Sequence, residues 1–467
     1  MKKIYSNFFL ILFFFVFQFA CAQTERSNSG WEQLDGILSK INPPVFQNKT
    51  FNIIDYGAIS DGTTDCTNAF KNAIDDCSKN GGGKVVVPEG EFLTGAIHLK
   101  SNVNLYVSEG AVVKFSKDVS KYLPVVFTRW EGVECMNYSP LIYAYEQKNI
   151  AVTGKGVLDG QGSNDNWWSW KGKTDYGWEN GMHNQDEGRN KLLDMAEKNI
   201  PVENRVFGNG YYLRPNFVQP YKCKNILIED VTFKNSPMWF IHPVLSENVS
   251  IINVTVEGLG PNNDGCDPES CKNVLIKGCS FNTGDDCIAI KSGRNTDGRR
   301  VNIPGENIII QDCKMKDGHG GVVIGSEISG GVRNVYAEDC EMSSPELDRV
   351  IRIKTNSIRG GTIENIFVRN IKVGQVGEAV VKINFFYEEG DAGEFTPIVK
   401  NINIENVTSE RSEYALWIKA YERSPVENIK IENCEFNNVK KENIIENVKG
   451  LKLNLVKINN KEISSGQ

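Results

Sequence analysis

The stretch NILIEDVTF at residues 225–233 decides the fold of this 467-residue chain, because its pattern returns along the sequence. Each copy begins with Asn and continues with alternating apolar residues, and copies start 23 to 36 residues apart. The further copies are NVSIINVTV at 248, NVLIKGCSF at 273, NIIIQDCKM at 307, NVYAEDCEM at 334, NIFVRNIKV at 365, NINIENVTS at 401 and NIKIENCEF at 428. Weaker copies begin at Asn102 and Asn149.

The alternation of apolar residues with period two predicts a β-strand in every copy. No helical pattern separates the copies, which disfavours a fold of alternating strands and helices. A fixed strand joined by loops of variable length indicates the coils of a parallel β-helix, an all-β solenoid. We expect the first Asn of each copy to stack on the next one as an amide ladder.

The region before the repeats predicts an N-terminal helical cap together with the first coils, in residues 48–118. Residues 64–79 place apolar side chains on one helical face, and such a helix would cover the open end of the solenoid core. Residues 119–459 are predicted to form the main β-helix domain. A large insertion at 160–215 interrupts it and holds four of the eight tryptophans, Trp167, Trp168, Trp170 and Trp178.

The N-terminus has the pattern of a signal peptide over residues 1–22. Two lysines precede the apolar run 8–17, and small residues lead up to Ala22. The run is too short to span a bilayer, so we expect no membrane span. The protein is therefore expected to be exported, periplasmic or secreted, with a lipid anchor on Cys21 as the alternative. Residues 23–47 are expected to follow as a loosely attached leader.

The net charge of −7 and the sequence pI of about 5.5 argue against a nucleic-acid partner, which needs a basic face. They do not exclude an anionic substrate, because a local cluster of cations can outweigh the global sign.

Several of the twelve cysteines follow the repeat rather than a disulfide pattern. Four of them lie six residues after the repeat Asn and therefore share one column: Cys279, Cys313, Cys340 and Cys434. We expect a buried, reduced stack there, since free cysteine packs as a small apolar residue. Local bridges Cys66–Cys77 or Cys266–Cys271 remain open alternatives.

A second strand follows in the coils, with copies CIAIKSG at 287, GVVIGSE at 321, VIRIKTN at 350 and ALWIKAY at 415. Aligned on their shared Ile, these copies place His319 beside Asp285 and Asp264 beside Asp286. The sequence RIK at 352–354 lies inside the third copy. We expect all of these groups to lie in one column on one exposed edge of the solenoid.

Three carboxylates on adjacent coils, roughly 5 Å apart, repel one another and are costly unless function requires them. Their proximity raises the pKa of one carboxyl group, which is the condition for a general acid. The pattern thus predicts an acid/base site, although each motif alone is common in turns.

Four motifs in order carry a family resemblance: Asn262-Asn263-Asp264, Asp285-Asp286, Gly318-His319-Gly320 and Arg352-Ile353-Lys354. The set resembles that of the polygalacturonases, glycoside hydrolase family 28, which read Asn-Thr-Asp, Asp-Asp, Gly-His-Gly and Arg-Ile-Lys. The resemblance covers roughly residues 50–456 and implies a single-stranded right-handed parallel β-helix. The departure is Asn263, where the family usually has Thr.

The resemblance implies that Asp285 is the general acid and that Asp264 and Asp286 activate the attacking water. It implies that His319 tunes the proton of the acid and contacts the substrate. The cations of the RIK motif would bind a galacturonate carboxylate after the cleaved bond. The substrate-binding residues are then expected to be Asn262, Lys291, Arg294, Arg352 and Lys354.

The expected reaction is hydrolysis of α-1,4-galacturonosidic bonds in homogalacturonan, the backbone of pectin, with inversion. In the family the non-reducing side of the cleft runs toward the N-terminal coils, where the insertion arises, so exo action from that end is expected. The alternatives are an endo-polygalacturonase, a rhamnogalacturonan or xylogalacturonan hydrolase, a Ca²⁺-dependent pectate lyase, and a non-catalytic carbohydrate-binding β-helix. We expect a monomer whose partner is the polysaccharide, without cofactor or metal.

Overall fold

The computed structural model describes residues 30–464, so the predicted signal peptide and Cys21 lie outside the described residues. The chain winds as a right-handed parallel β-helix, as predicted. A large sheet and a second, outward-facing sheet follow its length. Within the described part of the chain, no helix is long and apolar enough to cross a membrane.

The large sheet contains 26 strands, nearly all parallel, because each coil contributes strands that pair with those of the next coil. Its strands are Thr50–Asn52, Asp61–Asp65, Gly83–Val87, Gly90–Thr94, Val103–Val107, Ala111–Phe115, Lys148–Gly154, Val157–Asp159, Lys224–Glu229, Thr232–Lys234, Glu247–Ile252, Thr255–Gly258, Lys272–Lys277, Ser280–Thr283, Gly305–Gln311, Lys314–Met315, Val332–Glu338, Glu341–Met342, Thr362–Arg369, Lys372–Gln375, Ile398–Glu405, Thr408–Arg411, Val426–Phe436, Val448–Lys449, Lys452–Ile458 and Lys461–Ile463.

The second sheet lies on the face that carries the aspartates, and it is formed by one short strand from each coil. Its strands are Ile97–His98, Ile142–Tyr145, Val218–Tyr221, Ile288–Ile290, Val322–Ile324, Arg349–Lys354, Ala379–Asn384, Tyr414–Lys419 and Ile444–Glu446. Isolated parallel bridges at Ile241 and Cys266 continue the pairing between the third and fourth of these strands.

The predicted amide ladder is confirmed. Each repeat Asn donates a side-chain hydrogen bond to the Asn of the preceding coil, from Asn149 on Asn102 to Asn428 on Asn401, at 2.9–3.3 Å. Every Asn in this series has a positive φ, for example 56° at Asn225, which Asn tolerates better than most residues. The repeat Asn therefore fixes a left-handed turn and joins neighbouring coils.

The core runs along the inside of the coils and includes the predicted cysteine column, whose four members are all buried. All eleven cysteines in the described residues are free, so neither Cys66–Cys77 nor Cys266–Cys271 forms a bridge. The reduced stack is confirmed. Burial raises the pKa of the Cys266 and Cys434 thiols, which keeps these groups protonated.

Four α-helices accompany the coils in the described residues: Leu34–Leu38, Thr67–Lys79, Asp186–Glu197 and Asn295–Val301. Short 3₁₀ helices cover Trp31–Gln33, Ile53–Tyr56, Val119–Tyr122, Trp167–Lys171, Thr174–Tyr176 and Val202–Asn204. The second α-helix lies where the sequence predicts the cap, and it buries Ala69, Phe70, Ala73, Ile74 and Cys77.

The described part of the leader differs from the expected loose attachment. Trp31, Leu34 and Ile37 are buried against Tyr336 and Phe367, which project from the outer face of the large sheet. The physical reason is apolar burial, because these outward-facing aromatic residues need a cover.

Two segments stand over the second sheet. One is the antiparallel hairpin of strands Val126–Trp130 and Val133–Asn137. The other is the insertion at 160–215, which buries Trp167 against the core. Trp168 and Trp170 also pack against the core, whereas Trp178 does not belong to a buried cluster. The insertion is therefore anchored on the coils by part of its tryptophan set.

Candidate active site

The coil register brings the predicted aspartates together. Cys266 pairs with Ile288, which places Asp264 beside Asp286, and Ile288 pairs with Val322, which places His319 beside Asp285. Oxygen atoms of the three carboxylates lie within 4.8 Å of one another. The predicted alignment of these four side chains is confirmed.

The cations of the RIK motif reach the aspartates from a different column. Arg352 pairs with Val323, four residues beyond His319 along the coil, so the expectation of one shared column is wrong for this motif. Side-chain length bridges the gap. Arg352 donates to Asp286 Oδ1 at 3.1 Å, and Lys354 Nζ donates to Asp286 Oδ2 at 2.6 Å.

The expectation of an exposed edge is also wrong for part of the set. Asp264 and Asp286 are 3% and 0% exposed, because the hairpin, the insertion and the loop after Asn384 surround this face. The Asp285 side chain is 18% exposed and the His319 side chain is 54% exposed. The His319–Asp285 pair is therefore the part of the set that is most open to solvent.

The first glycine of the Gly-His-Gly motif is required on steric grounds. Gly318 has a φ of 146°, and a Cβ there would lie 2.5 Å from the backbone oxygen of Asp285. This close approach lets the His319 backbone N–H donate to the same oxygen at 3.1 Å. His319 Nδ1 then lies 3.0 Å from Asp285 Oδ1.

Asn263, which replaces the usual Thr, holds its turn against the preceding coil. Its amide donates to the backbone oxygens of Ser236 and Met238 at 3.0 and 2.9 Å. Its oxygen accepts from Gly260 N–H at 3.1 Å. The neighbouring Asn262 accepts from buried Arg214 at 2.8 Å and lines the pocket. The replacement thus leaves Asp264 in position.

Lys291 and Arg294 are buried in the pocket and paired with carboxylates. Lys291 Nζ lies 3.7 Å from Asp264, 3.4 Å from Asp267 and 3.3 Å from Glu327. The Arg294 guanidinium lies 3.4 Å from Glu327. It also pairs with Glu131 of the hairpin and with Glu388 and Glu389 of the loop after Asn384. Both predicted cations therefore lie at the site, where protein carboxylates neutralise them.

The three aspartates are electrostatically unequal. Burial, followed by the Asp267 and Asp285 charges, raises the pKa of Asp264 well above its usual value. Burial also acts to raise the pKa of Asp285, but the His319 hydrogen bond and nearby positive charges outweigh it, so that pKa is lowered. Burial is likewise outweighed at Asp286, whose pKa Lys354 and Arg352 lower. The free protein thus holds a proton on Asp264 more readily than on its neighbours.

Asp267 is a buried titratable group that the sequence analysis missed. Neither of its side-chain oxygens has a hydrogen-bond partner within the usual geometric limits, and burial raises its pKa to about 8. Its position three residues after Asp264, in the stretch GCDPES at 265–270, was the available signal. The coil register places Asp267 beside Ala289, on the outward face of the second sheet.

The outward face of the second sheet carries one continuous series of positions, which we call the floor column. Its members are in register from coil to coil: Gln219, His242, Asp267, Ala289, Val323, Arg352, Lys382 and Trp417. The hairpin covers the N-terminal end of this column. Gln219 donates to the Arg129 backbone oxygen at 3.1 Å, and the Arg129 guanidinium pairs with Glu269 at 3.2 Å.

The resulting pocket has a volume of about 430 Å³ and lies over the aspartates. The insertion contributes Lys171, Lys173 and Arg189 to its lining, and Tyr387 comes from a later loop. Arg189 Nε donates to Glu131 at the hairpin tip at 2.7 Å, which ties the insertion to the hairpin. The repeat pattern does not predict these contacts, because they join segments outside the repeat.

Tyr387 lies beside the RIK cations. Its ring centroid lies 5.6 Å from the Arg352 guanidinium and 5.3 Å from Lys354 Nζ. The site thus combines a compact set of carboxylates, a histidine, cations and an aromatic ring. Chemically this arrangement can hold a water, transfer protons and bind an acidic sugar.

Comparison with known proteins agrees with this geometry. The chain is 29% identical over 403 residues to a probable polygalacturonase of Vitis vinifera, covering 82% of this chain and 73% of that one. It is 28% identical over 390 residues to the exo-poly-alpha-D-galacturonosidase of Dickeya chrysanthemi, covering 77% and 63%. The crystal structure of a hyperthermoactive exopolygalacturonase from Thermotoga maritima superposes with a TM-score of 0.90 at 48% identity, covering 92% and 96%.

Family models match two regions of the chain. Residues 50–118 match the model described as rhamnogalacturonase A/epimerase, pectate lyase-like. Residues 203–459 match the model of glycosyl hydrolases family 28 and contain all four motifs. The resemblance inferred from those motifs is confirmed, and the protein belongs to glycosyl hydrolases family 28.

Proposed function

We propose that this enzyme hydrolyses α-1,4-galacturonosidic bonds in homogalacturonan and acts from the non-reducing end. The observation that carries the proposal is the aspartate set beside a histidine and two cations, within a pocket closed on its N-terminal side. Relatives named as exo-acting polygalacturonases, one of them 48% identical, support the same activity.

The proposed reaction is acid/base hydrolysis with inversion. Asp285 protonates the glycosidic oxygen, while Asp264 and Asp286 hold and activate the attacking water. The spacing of the three carboxylates is shorter than the ~6.5–9.5 Å usual for inverting pairs, so two aspartates must share the water. NMR of the first product checks this step, and early appearance of the retained anomer would contradict it.

Asp285 must gain a proton before it can act as the acid, although its pKa is low in the free protein. The substrate supplies a physical route. A galacturonate carboxylate that binds Arg352 and Lys354 competes with Asp286 for both cations. Asp286 then carries a less neutralised charge beside Asp285, which raises the pKa of Asp285.

Exo action rests on the closure of the floor column. Gln219 and His242 occupy positions where an open cleft would present side chains to further sugars. His242 is buried and hydrogen-bonded to Glu269 at 2.8 Å, and Gln219 is covered by the hairpin. The Arg189–Glu131 contact joins the insertion to the hairpin. A chain end can enter this pocket, whereas a continuous chain would collide with the hairpin.

Lys171 is suited to receive the carboxylate of the terminal sugar. It is half-buried in the pocket, and among the described residues no carboxylate lies within ion-pairing distance of it. Burial lowers its pKa, while the nearby Glu131 and Asp285 charges act in the opposite direction. An acidic sugar between Lys171 and the aspartates would give this ammonium group a partner.

A Ca²⁺-dependent lyase is the second candidate, because three carboxylates with oxygens within 4.8 Å of one another form a plausible cation cage. Arg352 and Lys354 argue against it, since both already donate to Asp286. Lys291 also lies 3.7 Å from Asp264, so protein cations take up the charge a metal would need.

We further propose that the enzyme is exported as a monomer, with residues 1–22 removed as a signal peptide and residues 119–459 as its catalytic domain. The positive and apolar pattern of the first 22 residues and the cell-wall origin of pectin support export. Mass spectrometry of the mature N-terminus tests cleavage, and a lipid on Cys21 would overturn it. Sedimentation analysis tests the monomer.

The activity is tested by incubating purified protein with homogalacturonan and with rhamnogalacturonan. We expect new reducing ends from homogalacturonan alone, unaffected by chelator and without the absorbance of an unsaturated product. Asp285→Asn should abolish the reaction. Chelator-sensitive release of unsaturated sugars would establish the lyase, and cleavage of rhamnogalacturonan alone would overturn the proposed substrate.

A further inference from the structure

The floor column continues over two more coils on the side opposite the hairpin. Arg352 pairs in register with Lys382, and Lys382 pairs with Trp417. In the neighbouring outward column, Lys354 is followed by Asn384 and Lys419. Lys382, Trp417 and Lys419, which we call the distal patch, thus extend the line of the RIK cations along the solenoid.

Trp417 faces away from the core. Its neighbours Leu416 and Ile418 are fully buried inside the coils, while Trp417 itself is half-buried. Two lysines lie near its ring, with Lys382 Nζ at 4.5 Å from the centroid and Lys419 Nζ at 5.6 Å. An aromatic ring beside two cations is therefore presented on the outside of the second sheet.

Acidic side chains balance the distal patch only in part. Glu378 accepts from Lys382 and also from Arg349, which pairs with Asp348 as well, so Lys382 shares its carboxylate with a second cation. Lys419 Nζ lies 2.9 Å from Glu446, and that pair is partly exposed to solvent. Exposed pairs of this kind contribute little and exchange readily for another anion.

We propose that the distal patch binds the polymer on the leaving-group side, beyond the sugar held by the RIK motif. The inference rests on the proposed function. Coils follow one another at ~4.8 Å, comparable to the length of one pyranose ring, so Lys382 and Trp417 lie one and two steps past Arg352. Trp417 provides the stacking face, and the lysines provide partners for uronate carboxylates.

The length of the substrate determines whether it reaches the distal patch. Digalacturonate ends at the RIK motif and does not reach Trp417, whereas hexagalacturonate does. We expect Trp417→Ala to raise the KM for hexagalacturonate about tenfold, or about 1.4 kcal/mol, and to leave digalacturonate unchanged. Trp417→Tyr should restore most of the loss, and Lys382→Ala should act in the same direction as Trp417→Ala.

Controls separate binding from folding. Lys457→Ala changes an exposed lysine on a C-terminal strand of the large sheet and should leave both substrates unaffected. Equal loss on both substrates, or no loss on either, overturns the distal patch. Calorimetric binding of hexagalacturonate to Asp285→Asn is the second measurement. Binding that needs Trp417 supports the patch. If the unmutated enzyme shows the same binding but no hydrolase activity, the patch stands and the proposed function is overturned instead.

Discussion

Lys354 Nζ donates a hydrogen bond of 2.6 Å to Asp286 Oδ2, inside a site where Asp286 is fully buried. Lys354 thus has two roles. It stabilises a buried carboxylate in the free protein, and it offers its charge to the carboxylate of the substrate. Binding and proton transfer are therefore coupled through Asp286.

Replacement of Lys354 tests that coupling. Lys354→Met leaves Asp286 with Arg352 as its remaining close cation, and removal of one partner of a buried pair costs about 3–5 kcal/mol. We expect a lower free energy of unfolding, measured by denaturant titration, and a higher KM for homogalacturonan.

The matched control is the double variant Lys354→Met/Asp286→Asn. It removes both members of the buried Lys354–Asp286 pair, so stability should largely return while the defect on homogalacturonan persists. A double variant as unstable as the single one would argue against the charge pair as the cause.

The assignment of the acid is tested by the leaving group. An aryl galacturonide with an activated leaving group needs little protonation, so Asp285→Asn should retain far more activity on it than on homogalacturonan. Asp264→Asn should lose both activities, because water activation is needed in each case. The reverse result would make Asp264, whose pKa is raised in the free protein, the acid.

The pH dependence should follow His319. Its hydrogen bond to Asp285 raises the pKa of His319, so the imidazolium persists to higher pH than in a free histidine. Its contribution to stability is present below the unfolded pKa of about 6.5 and is lost as pH rises through the folded value.

We expect kcat/KM to fall over the same pH interval, because His319 then loses the charge with which it faces the substrate. In His319→Gln this alkaline limb should vanish, and the remaining activity should be low at every pH. An unchanged alkaline limb in the variant would assign it to another group.

Lys171 should set the affinity for the terminal sugar. Lys171→Met is expected to lower kcat/KM on digalacturonate and on longer chains by about tenfold to a hundredfold, since a hydrogen bond to a charged group contributes ~1.5–3 kcal/mol. Lys173→Met is the neighbouring control, because Lys173 is exposed at the rim of the same pocket. Equal effects of both variants would indicate general electrostatic attraction.

The sequence predicts those parts of the structure that repeat. Asn225 and its equivalents recur at every coil, so the ladder and the register of Asp264, Asp285, Asp286 and His319 follow from alignment. Position in a column does not predict the contact between Arg352 and Asp286. The long side chain of Arg352 reaches Asp286 from a different column, which strand register does not reveal.

The covering segments could not be predicted in the same way. The hairpin contact between Arg129 and Glu269 joins residues 140 positions apart, and Arg129 lies outside the repeat pattern. The environments of Asp267, buried beside Lys291, and of Lys171, which lines the pocket, arise only from three-dimensional packing. Exo action is therefore harder to predict from the sequence than the hydrolytic chemistry is.

The size of the first products from long homogalacturonan distinguishes exo action from endo action. Chromatography at less than about one percent conversion should show mono- or digalacturonate alone, because the hairpin and the insertion leave room for a chain end only. A ladder of mixed oligomers at that stage would contradict exo action, since it requires a continuous chain to pass through the region occupied by Arg129 and Gln219.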